Sequence, residues 1–169
     1  VFVNSIRSNK RQQACRIGIY LPNTVSTIVA ATLWTFLFNS RNGYINKILD
    51  GIGVGRQLFL GSRSQALICV AIVGIWVVFG YNMIIFLSAL KDVPSEYYEA
   101  AKIDGANAVQ RFFKITLPSI KGTTIFVLVT SLIASFQAFD QIRVMTSGGP
   151  GKTTEVTVYY IFQLAFEQY

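Results

Sequence analysis

Three long uncharged stretches alternate with charged ones along the chain. The first runs from Ile17 to Ser40, the second from Ser64 to Leu90, and the third from Gly122 to Phe139, between Lys121 and Asp140. At about 1.5 Å per helical residue, the first two can cross a hydrocarbon core of about 30 Å. The third does so if its flanking side chains snorkel. The pattern predicts an all-α fold: a single polytopic transmembrane helical bundle with spans at about 17–39, 65–90 and 122–139. Pro22 lies near the start of the first run, where a helix tolerates proline best. Residues 41–63 read as a glycine-rich loop of mixed charge. Past the third span, Ser147-Gly148-Gly149-Pro150-Gly151 predicts a turn. The apolar, aromatic run Val156 to Phe166 follows. It is too short to cross a membrane and suits an amphipathic helix at the outer face.

The polar segment 91–121 between the second and third spans carries the most information. Pro94-Ser95 predicts a helix start with Ser95 as cap. Glu96 and Glu99 then place negative charge in the first turn, where the helix dipole favours it. Lys102 stands three residues after Glu99, within pairing reach. Ala100 and Ala101 favour helix and leave a smooth face that Tyr98, Ala101 and Gly105 share. Gly105 predicts the stop. Asn107 then caps a second short helix carrying Val109, Phe112, Phe113 and Ile115, and Leu117-Pro118 ends it. Two short helices thus form an elbow with a small-residue face and an aromatic face. Such a shape fits a partner's groove, or rests on lipid headgroups.

Composition agrees with a membrane protein. The chain has 169 residues, 52% hydrophobic and 14% charged, with a mean hydropathy of +0.46. The formal charge is +7. Its basic residues are spread over loops, which points to membrane flanks and not to nucleic acid. Residues 1–16 and 91–121 hold nine Lys and Arg against six on the other side, which favours the first group, including Arg7, Lys10 and Arg11, on the inner face. The chain has no His, which removes His-based triads and His metal ligands. Cys15 and Cys69 form no metal or redox motif, so no metal or cofactor is expected. Cys69 reads as a small packing residue. The chain opens at Val1 and closes at Tyr169 in an aromatic run. Val1–Val3 suit the tail of an earlier helix, and the whole suits part of a longer protein.

Glu99-Ala100-Ala101, Gly105 and Ile115-x-Leu117-Pro118 resemble the EAA loop of ABC importer permeases. Leu21-Pro22, Gly43-x-Ile45-Asn46, Trp76, Ile103-Asp104-Gly105-Ala106, Phe139-Asp140, Thr146-x-Gly148-Gly149-Pro150 and Tyr160-Ile161 extend the likeness over nearly the whole chain. They resemble the carbohydrate subfamily, of the maltose and glycerol-3-phosphate type. The resemblance implies a permease subunit in a bacterial or archaeal cytoplasmic membrane, importing a sugar-like solute. Its implied partners are cytoplasmic ABC ATPase subunits, a second permease subunit and an extracytoplasmic solute-binding protein. The elbow would be a coupling helix, docking through Glu99, Ala100, Ala101, Asp104 and Gly105. The resemblance also implies about six spans, so that the first two and the last would lie outside this sequence.

Polar positions inside a membrane are costly and therefore suggestive. Asn23 and Thr27 on the first helix, and Ser131 and Ser135 on the third, stand four apart, and each pair shares a face. Gly74 and Val78 have the same spacing on the middle helix. In maltose-type permeases the sugar contacts fall at matching positions, although several differ here in residue type. Ser, Thr and Asn also bond between helices or to their own backbone. Trp34 and Trp76 read as packing or interface residues. Residues 146–153 imitate a phosphate loop, but Thr146 stands where glycine is needed and Pro150 removes an N–H. Gly148, Gly149 and Pro150 read instead as an outer turn that meets a solute-binding protein. A channel or secondary carrier is the other class. A proton-coupled carrier would usually show a buried acid or His, and the three runs have neither.

Overall fold

Residues 16–167 are described by a computed structural model, and among them every regular element is helical. The basic positions Arg7, Lys10 and Arg11, the suggested helix tail Val1–Val3, and Cys15 lie outside the described residues. The helices are α1 (Arg16–Thr24), α2 (Thr27–Leu37), α3 (Tyr44–Gly51), α4 (Ala66–Lys91), α5 (Ser95–Ile103), α6 (Ala108–Ser119), α7 (Lys121–Phe136), α8 (Asp140–Met145) and α9 (Thr157–Phe166).

The middle run forms one helix. α4 is an unbroken helix of 26 residues, long and apolar enough to cross a membrane. The first run is broken within itself, whereas the third forms one helix, α7, that meets α6 at a bend just before it. α1 and α2 meet at 103°, and α6 and α7 at 70°. If each bent pair is one span, the described residues hold up to three.

The first break follows Pro22, which is buried in the 3-10 turn that closes α1 and has no N–H to continue a helix. Val25 and Ser26 are extended, with ψ of 136° and 139°. β-Branched Thr24 and Val25 give the helix little reason to resume before Thr27.

The second break corrects the expected stop at Leu117-Pro118. The helix continues through Pro118 to Ser119 and turns at Ile120 (φ −98°, ψ 15°). A proline ring crowds the carbonyl four residues earlier, here that of Lys114. Lys114 lies inside a wider π-helical stretch, Phe112–Thr116. A π-bulge loosens the ladder where that crowding falls.

The chain divides into two compact units, where the sequence suggests one domain. One holds the described residues of Val1–Gly80 and Ser135–Tyr169, and the other is Tyr81–Ala134. The first unit has a core of Ala31, Phe38, Cys69, Val70, Val73, Ile142, Met145 and Tyr159. Ala31 of α2 and Cys69 of α4 share this core, and α2 lies along α8. Trp34 meets Trp76 edge-to-face at 5.6 Å and Phe38 at 5.2 Å, as packing residues. α1 crosses α4 at Gly80. A Cβ there would stand 2.3 Å from the Ile19 carbonyl oxygen, so only glycine allows this backbone approach.

Two helices were not legible as such. α3 forms inside the expected loop 41–63, and α8 begins at once after Phe139. In the second unit α5 and α6 form the elbow, and Tyr98 Oη lies 2.9 Å from Thr116 Oγ1, tying the two together.

Candidate functional site: the α5–α6 elbow

The elbow is set by local chemistry. Pro94, with φ −58° and ψ 133°, occupies the cap position of α5. Ser95 is therefore the first helical residue, and its side chain makes no capping bond. Only Glu96 lies in the first turn. Glu99 sits a turn further along, exposed, and forms no ion pair with Lys102 among the described residues. Its carboxylate is left facing outward.

The stop at Gly105 is as expected. Its φ is +76°, a left-handed conformation that favours glycine. The Gly105 N–H donates to Lys102 O at 3.1 Å and the Ala106 N–H to Ala101 O at 2.8 Å. These two bonds close the end of α5 as a Schellman motif. Nothing lies within 4 Å of where a Cβ on Gly105 would be, so the position faces open space.

Asn107 caps α6 in a full capping box. Gln110 N–H donates to Asn107 Oδ1 and Asn107 N–H to Gln110 Oε1, both at 2.9 Å. Only two residues, Gly105 and Ala106, separate one helix's terminal cap from the other's initial cap.

Between the two helices lies an open concavity of about 420 Å³. Ala101, Asp104, Gly105, Arg111, Lys114 and Ile115 line it. Of the expected docking residues, Ala101, Asp104 and Gly105 are thus brought together, while Glu99 and Ala100 stand exposed on α5. The elbow also presents Ile103, Val109 and Phe113, which are 87%, 64% and 60% exposed. Ile103 is not singled out by helix periodicity. Its exposure follows from the stop two residues later, which leaves no further turn to cover it.

The solute-path positions fare differently. Asn23 is half-buried and donates from Nδ2 to the Val77 carbonyl on α4 at 3.4 Å. The break at 25–26 separates it from Thr27, so the two do not share one helical face. Gly74 lies beside Gln141, whose Nε2 would stand 3.4 Å from a Cβ on Gly74. No pattern in the sequence marks Gln141, because that neighbour comes from a distant helix. Val78 and Ser135 are exposed positions of the same unit, and Ser131, also exposed, belongs to the other.

The turn 147–151 packs inward. Gly148 is buried at φ +80°, with Tyr159 Cε1 only 2.8 Å from where its Cβ would be. Gly149 and Pro150 are half-buried, and the exposed positions are Ser147, Gly151 and Lys152. Buried Thr154 bonds Thr146 Oγ1 at 2.7 Å and donates to Gly149 O at 2.8 Å. The N–H groups of Ser147, Gly149, Thr153 and Thr154 are bonded to the backbone carbonyls of Ile142, Thr146, Pro150 and Gly148. They are not free to cradle a phosphate. Beyond the turn, Glu167 holds the Arg143 guanidinium above its ordinary pKa through a direct hydrogen bond.

The sequence profile described as "Binding-protein-dependent transport system inner membrane component" matches residues 1–168. The chain belongs to this family. Within it, the chain is 35% identical over 153 residues to the probable ABC transporter permease protein YurN of Bacillus subtilis, covering 89% of this chain and 52% of that one. It is 40% identical over 147 residues to the sn-glycerol-3-phosphate transport system permease protein UgpA of Escherichia coli O157:H7, covering 86% and 50%. It is 37% identical over 155 residues to the arabinooligosaccharides transport system permease protein AraP of Halalkalibacterium halodurans, covering 90% and 49%. The chain spans about half the length of these relatives. The fold also matches the crystal structure of a bacterial ABC transporter involved in the import of the acidic polysaccharide alginate. That match has a TM-score of 0.87 at 28% identity, covering 98% of this chain and 58% of that one.

Proposed function

We propose that the chain belongs to a permease subunit of an ATP-driven importer, sited in the cytoplasmic membrane, for a sugar or sugar-like solute. The observation that carries this reading is the elbow itself. Its two helices are capped on both sides of a left-handed glycine, tied by Tyr98 and Thr116, and open on the outer side. A rigid, open elbow suits a part that receives force from a partner. Glu99 and Ala100 on the exposed side of α5, with Ala101, Asp104 and Gly105 beside the concavity, offer small side chains and acidic groups to a cleft on a separate ATPase subunit. Exposed Ile103, Val109 and Phe113 supply apolar anchors of the kind that helix-in-groove docking uses. ATP hydrolysis is assigned to that separate subunit. ATP-driven closure would move the elbow as a rigid body and rock the attached helices between inward and outward access.

The solute is delivered by a solute-binding protein at the opposite face, and a second permease subunit completes the path. Contact with the binding protein is assigned to the exposed positions beside Gly148-Gly149-Pro150, namely Ser147, Gly151 and Lys152. Asn23, Thr27, Gly74, Val78, Ser131 and Ser135 are the candidate path positions, joined by Gln141.

Gly105→Arg in the full-length protein tests the docking. The variant is expected to reach the membrane but lose ATPase co-purification and solute uptake. Gly105→Asn, which tolerates the left-handed backbone, controls for strain and is expected to keep the elbow folded. Intact assembly and uptake in Gly105→Arg would rule out docking at this face. In the same assays, Ser135→Trp is expected to keep ATPase assembly and change uptake; unchanged uptake removes Ser135 from the path.

A further inference from the structure

α3 is an amphipathic helix whose apolar side is turned outward. Tyr44, Ile48 and Ile52 repeat at intervals of four from α3 into its C-cap, and each is about two-thirds exposed. Val54 and Leu58 continue this exposed apolar surface along the same loop. The opposite side of α3 is fastened down. Asn46, 2% exposed, donates from Nδ2 to the carbonyls of Ser40 at 3.1 Å and Gln57 at 2.9 Å, and accepts the Gln57 N–H at 2.9 Å. Gly43 fixes the approach, since a Cβ there would lie 2.4 Å from the Asn39 carbonyl oxygen. Asn46 stands about 160–200° around the helix from Tyr44 and Ile48. The face that carries the apolar stripe is therefore held away from the protein.

We propose that α3 is an interfacial anchor whose Tyr44–Ile48–Ile52 face lies in the lipid headgroup region of the outer leaflet. The inference rests on reading α2 and α4 as membrane spans. Three observations favour lipid as the occupant. The stripe begins seven residues after α2 ends, and α2 itself exposes Val29, Leu33 and Phe36, so apolar surface runs on from one helix to the next. The loop 41–63 has four basic residues (Arg41, Lys47, Arg56 and Arg63) and one acid, Asp50, which complements anionic headgroups. Lys47 Nζ sits 5.0 Å from the Tyr44 ring centroid, pairing an aromatic with a cation as interfacial segments do. Asp50, meanwhile, is held by Arg56 at 2.8 Å and so is partly neutralised. A helix of this kind would hold the outer end of α2 at a set depth.

The test uses the full-length protein in vesicles of phosphatidylethanolamine and phosphatidylglycerol, with single cysteines at Ile48, Asp50 and Ile72. A charged, impermeant maleimide reports water exposure. The Ile48→Cys thiol is expected to react at least ~10-fold more slowly than Asp50→Cys, because an interfacial helix buries its apolar face in the acyl boundary. Equal rates would overturn the proposal. So would an Ile48→Cys thiol that becomes protected only when a solute-binding protein is added, since the face would then be a protein dock. Ile72→Cys, on α4, is expected to stay unreactive. If it reacts freely, the spanning reading fails, separately from the anchor.

Discussion

Single residues in this chain do their work through backbone shape. Gly105 and Gly148 both have φ near +80°, yet their surroundings differ completely. Gly105 opens to solvent, so a side chain there would meet only a docking partner. Gly148 is closed over by Tyr159, so a side chain there would strike the core. Gly148→Ala is therefore expected to destabilise the protein by about 1–3 kcal/mol, from backbone strain and overpacking combined. Thermal unfolding of the detergent-solubilised protein would show it. Gly51→Ala, at an open position without a positive φ, should change little. An unchanged melting temperature in Gly148→Ala would show that the turn is not held on Tyr159. The sequence marks both glycines equally. Their different roles come from neighbours far along the chain, which no local pattern records.

Among the elements, those built from local bonds are the legible ones. The stop at Gly105 and the cap at Asn107 use partners within five residues, and both form where the pattern places them. Asn107→Ala is expected to cost about 1 kcal/mol of α6 stability. Hydrogen exchange of the amides from 108 to 112 should then quicken roughly five-fold, since ~1 kcal/mol is about that factor in an opening equilibrium. Unchanged exchange would mean that the Tyr98–Thr116 tie, and not the cap, holds the elbow. The less legible elements are those where hydrophobicity and helix continuity part company. Uniform apolar character over 17–39 does not reveal the extended residues at 25 and 26. α3 is hidden because glycines on both sides of it imitate a loop, and its inward polar residue, Asn46, gains its bonds from Gln57.

For the whole molecule, α4 is the element on which a membrane orientation rests. Its 26 residues give a length near 39 Å at about 1.5 Å per residue, more than the ~30 Å of a hydrocarbon core. Arg63 and Glu99 flank it, so cysteines replacing them in the full-length protein should be labelled from opposite faces of sealed vesicles. Labelling of both from one face would refute the span. The fold match to a bacterial ABC transporter that imports alginate extends over 98% of the chain.

By itself the sequence determined the helical class, the unbroken middle helix, the family and the position of the elbow. These follow from composition and from hydrogen bonds between residues three to five apart, which a linear pattern contains. The tertiary structure alone decided where the first apolar run bends, that Gly148 faces inward, and that α3 turns its apolar face outward. Each of those depends on what a distant segment places beside the residue: Tyr159 over Gly148, Gln57 on Asn46, and α4 against α1 at Gly80. Packing between segments far apart in the chain leaves no periodic trace in either one.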